Sequence, residues 1–158
     1  MINEILLIGT LIVLYGAVLL WFYLFGIGGL MAFTVFATIA ANIEVMILVD
    51  AFGMEMTLGN ILFATTFLVT DILSEVAGKR AAQQAVWAGI AANVLFIVVS
   101  QSWLLYVPSV NDWVRPSIEA VFSNTPRMML SSLAVYAVAQ VFDVWLYHKW
   151  WEITERKT

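Results

Sequence analysis

Charged side chains are spaced so far apart along this chain that the gaps between them outline its elements. No Asp, Glu, Lys or Arg lies between Glu4 and Glu44, an interval twice the ~20 apolar residues that carry one helix across a bilayer. Two helices can use that length, and Gly26-Ile27-Gly28-Gly29 supplies the break, because glycine turns the backbone without a Cβ penalty. Further apolar runs bring the expected spans to five, over about 5–25, 28–49, 57–76, 84–107 and 128–147. Short acidic and basic linkers, Asp50–Met56 and Gly78-Lys79-Arg80, separate the second, third and fourth. The longest linker, Pro108–Pro126, contains all three prolines and predicts a short surface helix from Ser117 to Phe122. A polar cytoplasmic tail over 148–158 is expected to close the chain.

Composition places these spans in a membrane. The chain is 63% hydrophobic and 11% charged, with a mean hydropathy of +0.93, far from the roughly 45–50% apolar content of soluble domains. The expected fold class is therefore an all-α integral membrane protein, one membrane domain over 1–158 built as a bundle of about five transmembrane helices. Nothing basic precedes the first apolar run and no small-residue cleavage pattern interrupts it, so the first helix is expected to stay in the mature protein. The absence of cysteine excludes disulfides, thiol catalysis and thiolate metal sites, and one histidine, His148, makes no metal site alone. Neither metal nor cofactor is expected.

Basic residues set the orientation. With Lys79 and Arg80 in the cytoplasm, alternation also places Lys149, Arg156 and Lys157 there and leaves only Arg115 and Arg127 outside, so the amino terminus is expected outside. Trp21, Trp87, Trp145, Trp150 and Trp151 then fall at the inner boundary, and Trp103 and Trp113 at the outer one, as in aromatic belts.

Depth sorts the polar residues. At about 1.5 Å of rise per residue, Asp71 lies roughly 7.5 Å inside the cytoplasmic end of its span and Asp143 roughly 6 Å, at one level. Glu75 sits one turn nearer the cytoplasm on the face of Asp71, and Gln140 nearly one turn above Asp143. Asn93 is expected near the midplane and Asn42 higher. Packed together, these helices would enclose a polar cavity opening inward. An intramembrane ionisable residue is a functional candidate by default, because the membrane makes it costly. Structural readings stand beside that one: Glu75 with Lys79 as an i, i+4 pair anchoring the helix, Asp71 as a buried partner of Lys79 or Arg80, and Asp143 with His148 or Lys149. Asn42, Asn93 and Gln140 would then tie helices together by hydrogen bonds. Trp87-Ala88-Gly89-Ile90-Ala91-Ala92-Asn93 reads as a close helix contact, and Glu44 and Arg127 as interfacial.

The run Thr70-Asp71-Ile72-Leu73-Ser74-Glu75-Val76-Ala77-Gly78-Lys79-Arg80, with Ala85-Val86-Trp87-Ala88-Gly89, Thr125-Pro126-Arg127 and Asp143-Val144-Trp145-Leu146-Tyr147-His148-Lys149, resembles the queuosine precursor transporters from about Ala40 to Lys149. The resemblance implies a small membrane protein importing 7-deazaguanines, the nitrile or aminomethyl precursors of a tRNA nucleoside, without binding nucleic acid itself. It also implies that Asn42, Asp71, Glu75, Lys79, Arg127 and Asp143 occupy motif positions, alongside Thr70 and Gly78 in the motif run. Similar proteins continue with an Arg-Asn-Asn-containing segment and further membrane helices. This chain is therefore expected to need such helices, or another copy of itself, for full transport.

The chemistry agrees. A guanine-like ring offers an N–H and an adjacent amino group that one carboxylate accepts as a bidentate pair. Asp71 is the first choice for that acceptor and Asp143 the second. Asn93 or Gln140 would meet the ring carbonyl, and Trp87 would stack on the ring if it faces inward. If the two aspartates approach each other, repulsion and burial would hold one protonated, which permits proton coupling. Two rival classes are a substrate-binding subunit driven by a separate ATPase complex, since no nucleotide-binding loop is present, and an intramembrane aspartyl protease, whose glycine-flanked aspartate motif is absent. A purely structural membrane protein is the third reading; no enzyme activity is expected.

Overall fold

A computed structural model describes residues 2–123 and 125–154. The first helix, α1 (Ile2–Glu44), is bent at Gly26, whose backbone (φ 59°, ψ −144°) leaves the helical region where the glycine run predicts a break. Its arms, 2–25 and 27–44, are roughly 36 and 27 Å long at about 1.5 Å per residue. Asn3 Nδ2 donates to Asp50 O at 2.9 Å and Phe52 N donates to Glu4 Oε1 at 3.3 Å. These bonds put the start of α1 beside the segment that follows its end, so the two arms run antiparallel.

Between α1 and the next helix the structure corrects the expected boundaries. The second span stops at Glu44 rather than Val49, and the expected linker is a β-hairpin of β1 (Leu48–Ala51) and β2 (Met54–Thr57), with Leu48 opposite Thr57 and Ala51 opposite Met54. Phe52 (φ 54°) and Gly53 (φ 76°) form its two-residue turn with both central residues at positive φ, as twisted hairpins require. The apolar run Val45–Val49 concealed the helix end, because apolar residues alone do not separate strand from helix.

Three further helices, α2 (Gly59–Ala77), α3 (Lys79–Leu105) and α5 (Thr125–Ile153), are long and apolar enough to cross a membrane, as is α1; counting both arms of α1, the bundle makes five passes. Gly78 (φ 79°) is the single residue between the end of α2 and the start of α3. The expected surface helix is α4 (Arg115–Phe122). Arg115 donates to Trp103 O, Leu104 O and Tyr106 O at 2.8–3.0 Å, satisfying carbonyls that the end of α3 leaves unpaired. The expected tail is also shorter: α5 stays helical to Ile153, while Arg156 and Lys157 lie outside the described residues.

The core joins Leu30, Phe33 and Ala37 of α1 to Val69 and Leu73 of α2 and to Ala82, Ala85 and Val86 of α3. Small residues bring backbones close: an added Cβ on Gly59 would stand 2.6 Å from Ala41 O, and one on Gly89 would stand 3.0 Å from Thr38 Cγ2. Leu95, Val98, Val138 and Phe142 face outward, as expected of a lipid-facing surface. The hairpin, the start of α2 and the end of α3 share one end of the bundle; Gly78, Lys79 and the end of α5 share the other.

A polar seam between two parallel helices

Polar residues that a membrane helix would otherwise exclude fall on one stripe of each of two helices. On α5 the stripe is Tyr136, Gln140, Asp143 and Tyr147, at spacings of four, three and four. On α2 it is Thr66, Thr70 and Ser74, flanked by Asp71 and Glu75. Contacts between them advance in step, so the two helices run parallel and meet rung by rung. Nearest the hairpin, the Tyr136 ring stacks on Phe63 with centroids 5.3 Å apart. Next, the fully buried Gln140 donates through Nε2 to Thr66 Oγ1 and accepts at Oε1 from Thr70 Oγ1 at 3.3 Å. Asp71 and Asp143 follow, half-buried, on the rung between the Thr70–Gln140 and Glu75–Tyr147 contacts. On the last rung Tyr147 Oη donates to Glu75 Oε1.

The shared level expected for Asp71 and Asp143 is what brings them together. Asp143 does not pair with Lys149, which turns to Glu152 at 3.2 Å, and its buried Oδ2 has no hydrogen-bond partner among the described residues. Glu75 reaches across to α5, a bond that the reading built on Lys79 did not contain.

Asn42 and Asn93 lie on a different pair of helices. Asn42 Nδ2 donates to Asn93 Oδ1 and to Thr38 O at 2.9 Å, tying α1 to α3. Asn42 was expected higher than Asn93; the two meet because α3 continues well past this level to Leu105, whereas α1 ends two residues beyond Asn42. Asn42 Oδ1 and Asn93 Nδ2 stay buried without partners among the described residues. Trp87 is corrected outright: it is 63% exposed on the outer face of α3, beside Gln83 and Val141, so it does not stack over the carboxylates. Arg127 is exposed at the hairpin end and lines a cavity of about 730 Å³ with Ser131 and Ser132. Thr70 belongs to the Gln140 clamp. Gly78 makes the turn, and Lys79 opens α3 at the surface.

The expected inward-opening polar cavity is replaced by one on the hairpin side. A mainly apolar cavity of about 560 Å³ runs between α2 and α5, and shares Ser131 and Ser132 with the cavity at Arg127. The sequence reading missed Phe63, Thr66 and Tyr136; the four-residue recurrence from Tyr136 to Gln140 and from Thr66 to Thr70 was the signal that could have found them.

Apolar helices enclosing a ladder of hydroxyl, amide and carboxylate side chains, with a cavity beside it, define a polytopic membrane protein. Residues 57–158 match the family model described as "Putative vitamin uptake transporter", and the chain belongs to that family. It is also 38% identical over 130 residues, 82% of its length, to the "Probable queuosine precursor transporter" of Bacillus subtilis (strain 168). The chain spans 57% of that relative's length. No solved structure matches it.

Proposed function

We propose that this chain acts in the uptake of queuosine precursors, planar 7-deazaguanine bases, and that Asp71 accepts the paired N–H and amino group of the ring edge, with Asp143 beside it. The observation that carries this reading is the adjacency of the two carboxylates on the polar seam. Two like charges inside a membrane bundle are costly unless something shares them, and a ligand edge bearing two donors is such a partner. The relative's name supplies the substrate class. Gln140 has both ends of its amide engaged, so its part is to fix α5 against α2 rather than to read the ring carbonyl. The amino terminus is placed outside, which puts Gly78, Lys79 and Lys149 on the cytoplasmic side. A proton shared by the aspartates would couple transport to the proton gradient.

Binding of 7-cyano-7-deazaguanine to membranes containing the chain tests the assignment. Losing one partner of a charge-assisted pair costs about 1.5–3 kcal/mol, so Asp71→Asn should weaken binding roughly ten- to a hundred-fold while folded protein stays in the membrane. Glu75→Gln should be milder, because Glu75 orients Tyr147 at the end of the bundle. An adenine-like 7-deazapurine offers the wrong donors and should bind poorly throughout. Normal binding by Asp71→Asn would pass the role to Asp143. Restored tRNA queuosine in cells lacking precursor synthesis is the cellular counterpart.

A further inference from the structure

We infer that the cavity between the hairpin-side halves of α2 and α5 is the compartment in which a planar heteroaromatic base stacks, one helical turn from the carboxylate pair. This rests on the reading of Asp71 as a base-recognising group and extends it to where the ring itself lies. The nearness follows from helical spacing. The α2 wall is formed by Asn60, Phe63 and Phe67, and the α5 wall by Ser132, Tyr136 and Ala139. Four residues beyond Phe67 is Asp71, and four beyond Ala139 is Asp143, so each wall ends one turn short of a carboxylate on the same helix face.

Three properties of the cavity select its occupant. Its volume of about 560 Å³ lies within the roughly 300–1,000 Å³ of small-molecule pockets. Phe67, Tyr15 of α1 and Phe63, one face of which Tyr136 already covers, supply flat rings to the lining, and bases stack on such faces without regard to their edge chemistry. Asn60, Ser131 and Ser132 add polar groups that an acyl chain would leave unused. The Gln140–Thr66–Thr70 clamp closes the protein side, because its hydrogen bonds are already made, and leaves the aspartates as the charged groups next along the walls. The adjoining cavity at Arg127, which shares Ser131 and Ser132, is the mouth.

Because the chain has no cysteine, single cysteines report the compartment without background. Ala64→Cys and Ala139→Cys place a thiol on opposite walls, and Val138→Cys, 72% exposed on the outer face of α5, is the control. Alkylation by N-ethylmaleimide is followed in native membranes with and without 7-cyano-7-deazaguanine, whose binding is measured on the same membranes. At ten times its dissociation constant the free fraction falls about ten-fold, so alkylation of both wall cysteines should slow about ten-fold and that of Val138→Cys should not change. Two walls guard against one variant failing to fold. Binding without protection of either wall overturns the compartment and leaves the carboxylate reading standing; no binding by the unsubstituted chain overturns both. A disulfide between two copies at Ala139→Cys, with no protection by ligand, would show a second copy covering the groove and would also overturn the compartment.

Discussion

Replacing Gly59 by alanine adds one methyl group where α2 leaves the hairpin and crosses the end of α1. Its Cβ would stand 2.6 Å from Ala41 O, 3.0 Å from Val45 N and 3.4 Å from Val45 Cα, and all three are backbone atoms. A side chain could rotate away; a backbone can yield only by separating the two segments. Overpacking of this kind costs about 1–3 kcal/mol. The usual gain from replacing glycine inside a helix, about 0.5–1 kcal/mol, is largely forfeited because Gly59 is the first residue of α2. Gly16, in the middle of the first arm of α1, has nothing within 4 Å of the same Cβ, so Gly16→Ala should collect that gain. One chemical change is thus expected to act with opposite signs at two positions. Thermal unfolding in detergent, followed by tryptophan fluorescence, measures both, at roughly 2–4 °C per kcal/mol for a chain of this size. Ligand binding should weaken in Gly59→Ala as well, since the displaced turn carries Asn60 and Phe63 into the cavity wall. A Gly59→Ala protein as stable as Gly16→Ala would refute the close approach of α1 and α2.

Gln140→Leu should cost only about 1 kcal/mol, at roughly 0.6 kcal/mol for each of two interhelical hydrogen bonds in a membrane. Thr66 and Thr70 keep Phe63 O (2.6 Å) and Phe67 O (2.9 Å) as acceptors, so no hydroxyl is stranded; a loss of several kcal/mol in detergent unfolding would show that they depend on Gln140. The proposed orientation is read by single-cysteine labelling with an impermeant reagent applied outside, which should modify Ser109→Cys and not Arg80→Cys; the opposite pattern inverts the topology.

Much of the architecture could be read from where charge is missing. A gap from Glu4 to Glu44 is too long for one span, and the glycines at its centre mark the bend that Gly26 makes. Asp71 and Asp143 fell at one depth because rise per residue is fixed, so counting from the span ends was enough to bring them level. Rotation about each helix axis was harder. Trp87 sat in the motif run, yet its direction depends on which faces α3 turns to α1 and α5, and a single sequence carries no record of that. The hairpin was hidden for a different reason: its turn is Phe52-Gly53 in place of the Asn-Gly or Asp-Gly pair that announces such turns. The pairing of Asn42 with Asn93 depended on unequal helix lengths, which boundaries uncertain by a few residues do not fix.

The bend at Gly26 also bears on how the protein is made. Both arms of α1 and the turn joining them lack Lys and Arg, so the hairpin enters the bilayer with no basic residue of its own to fix its direction. The first such residues in the chain are Lys79 and Arg80, which leave the ribosome only after α1, the β-hairpin and α2 have all been synthesised. Within this sequence the basic residues nearest α1 are thus separated from it by the whole of the β-hairpin and α2.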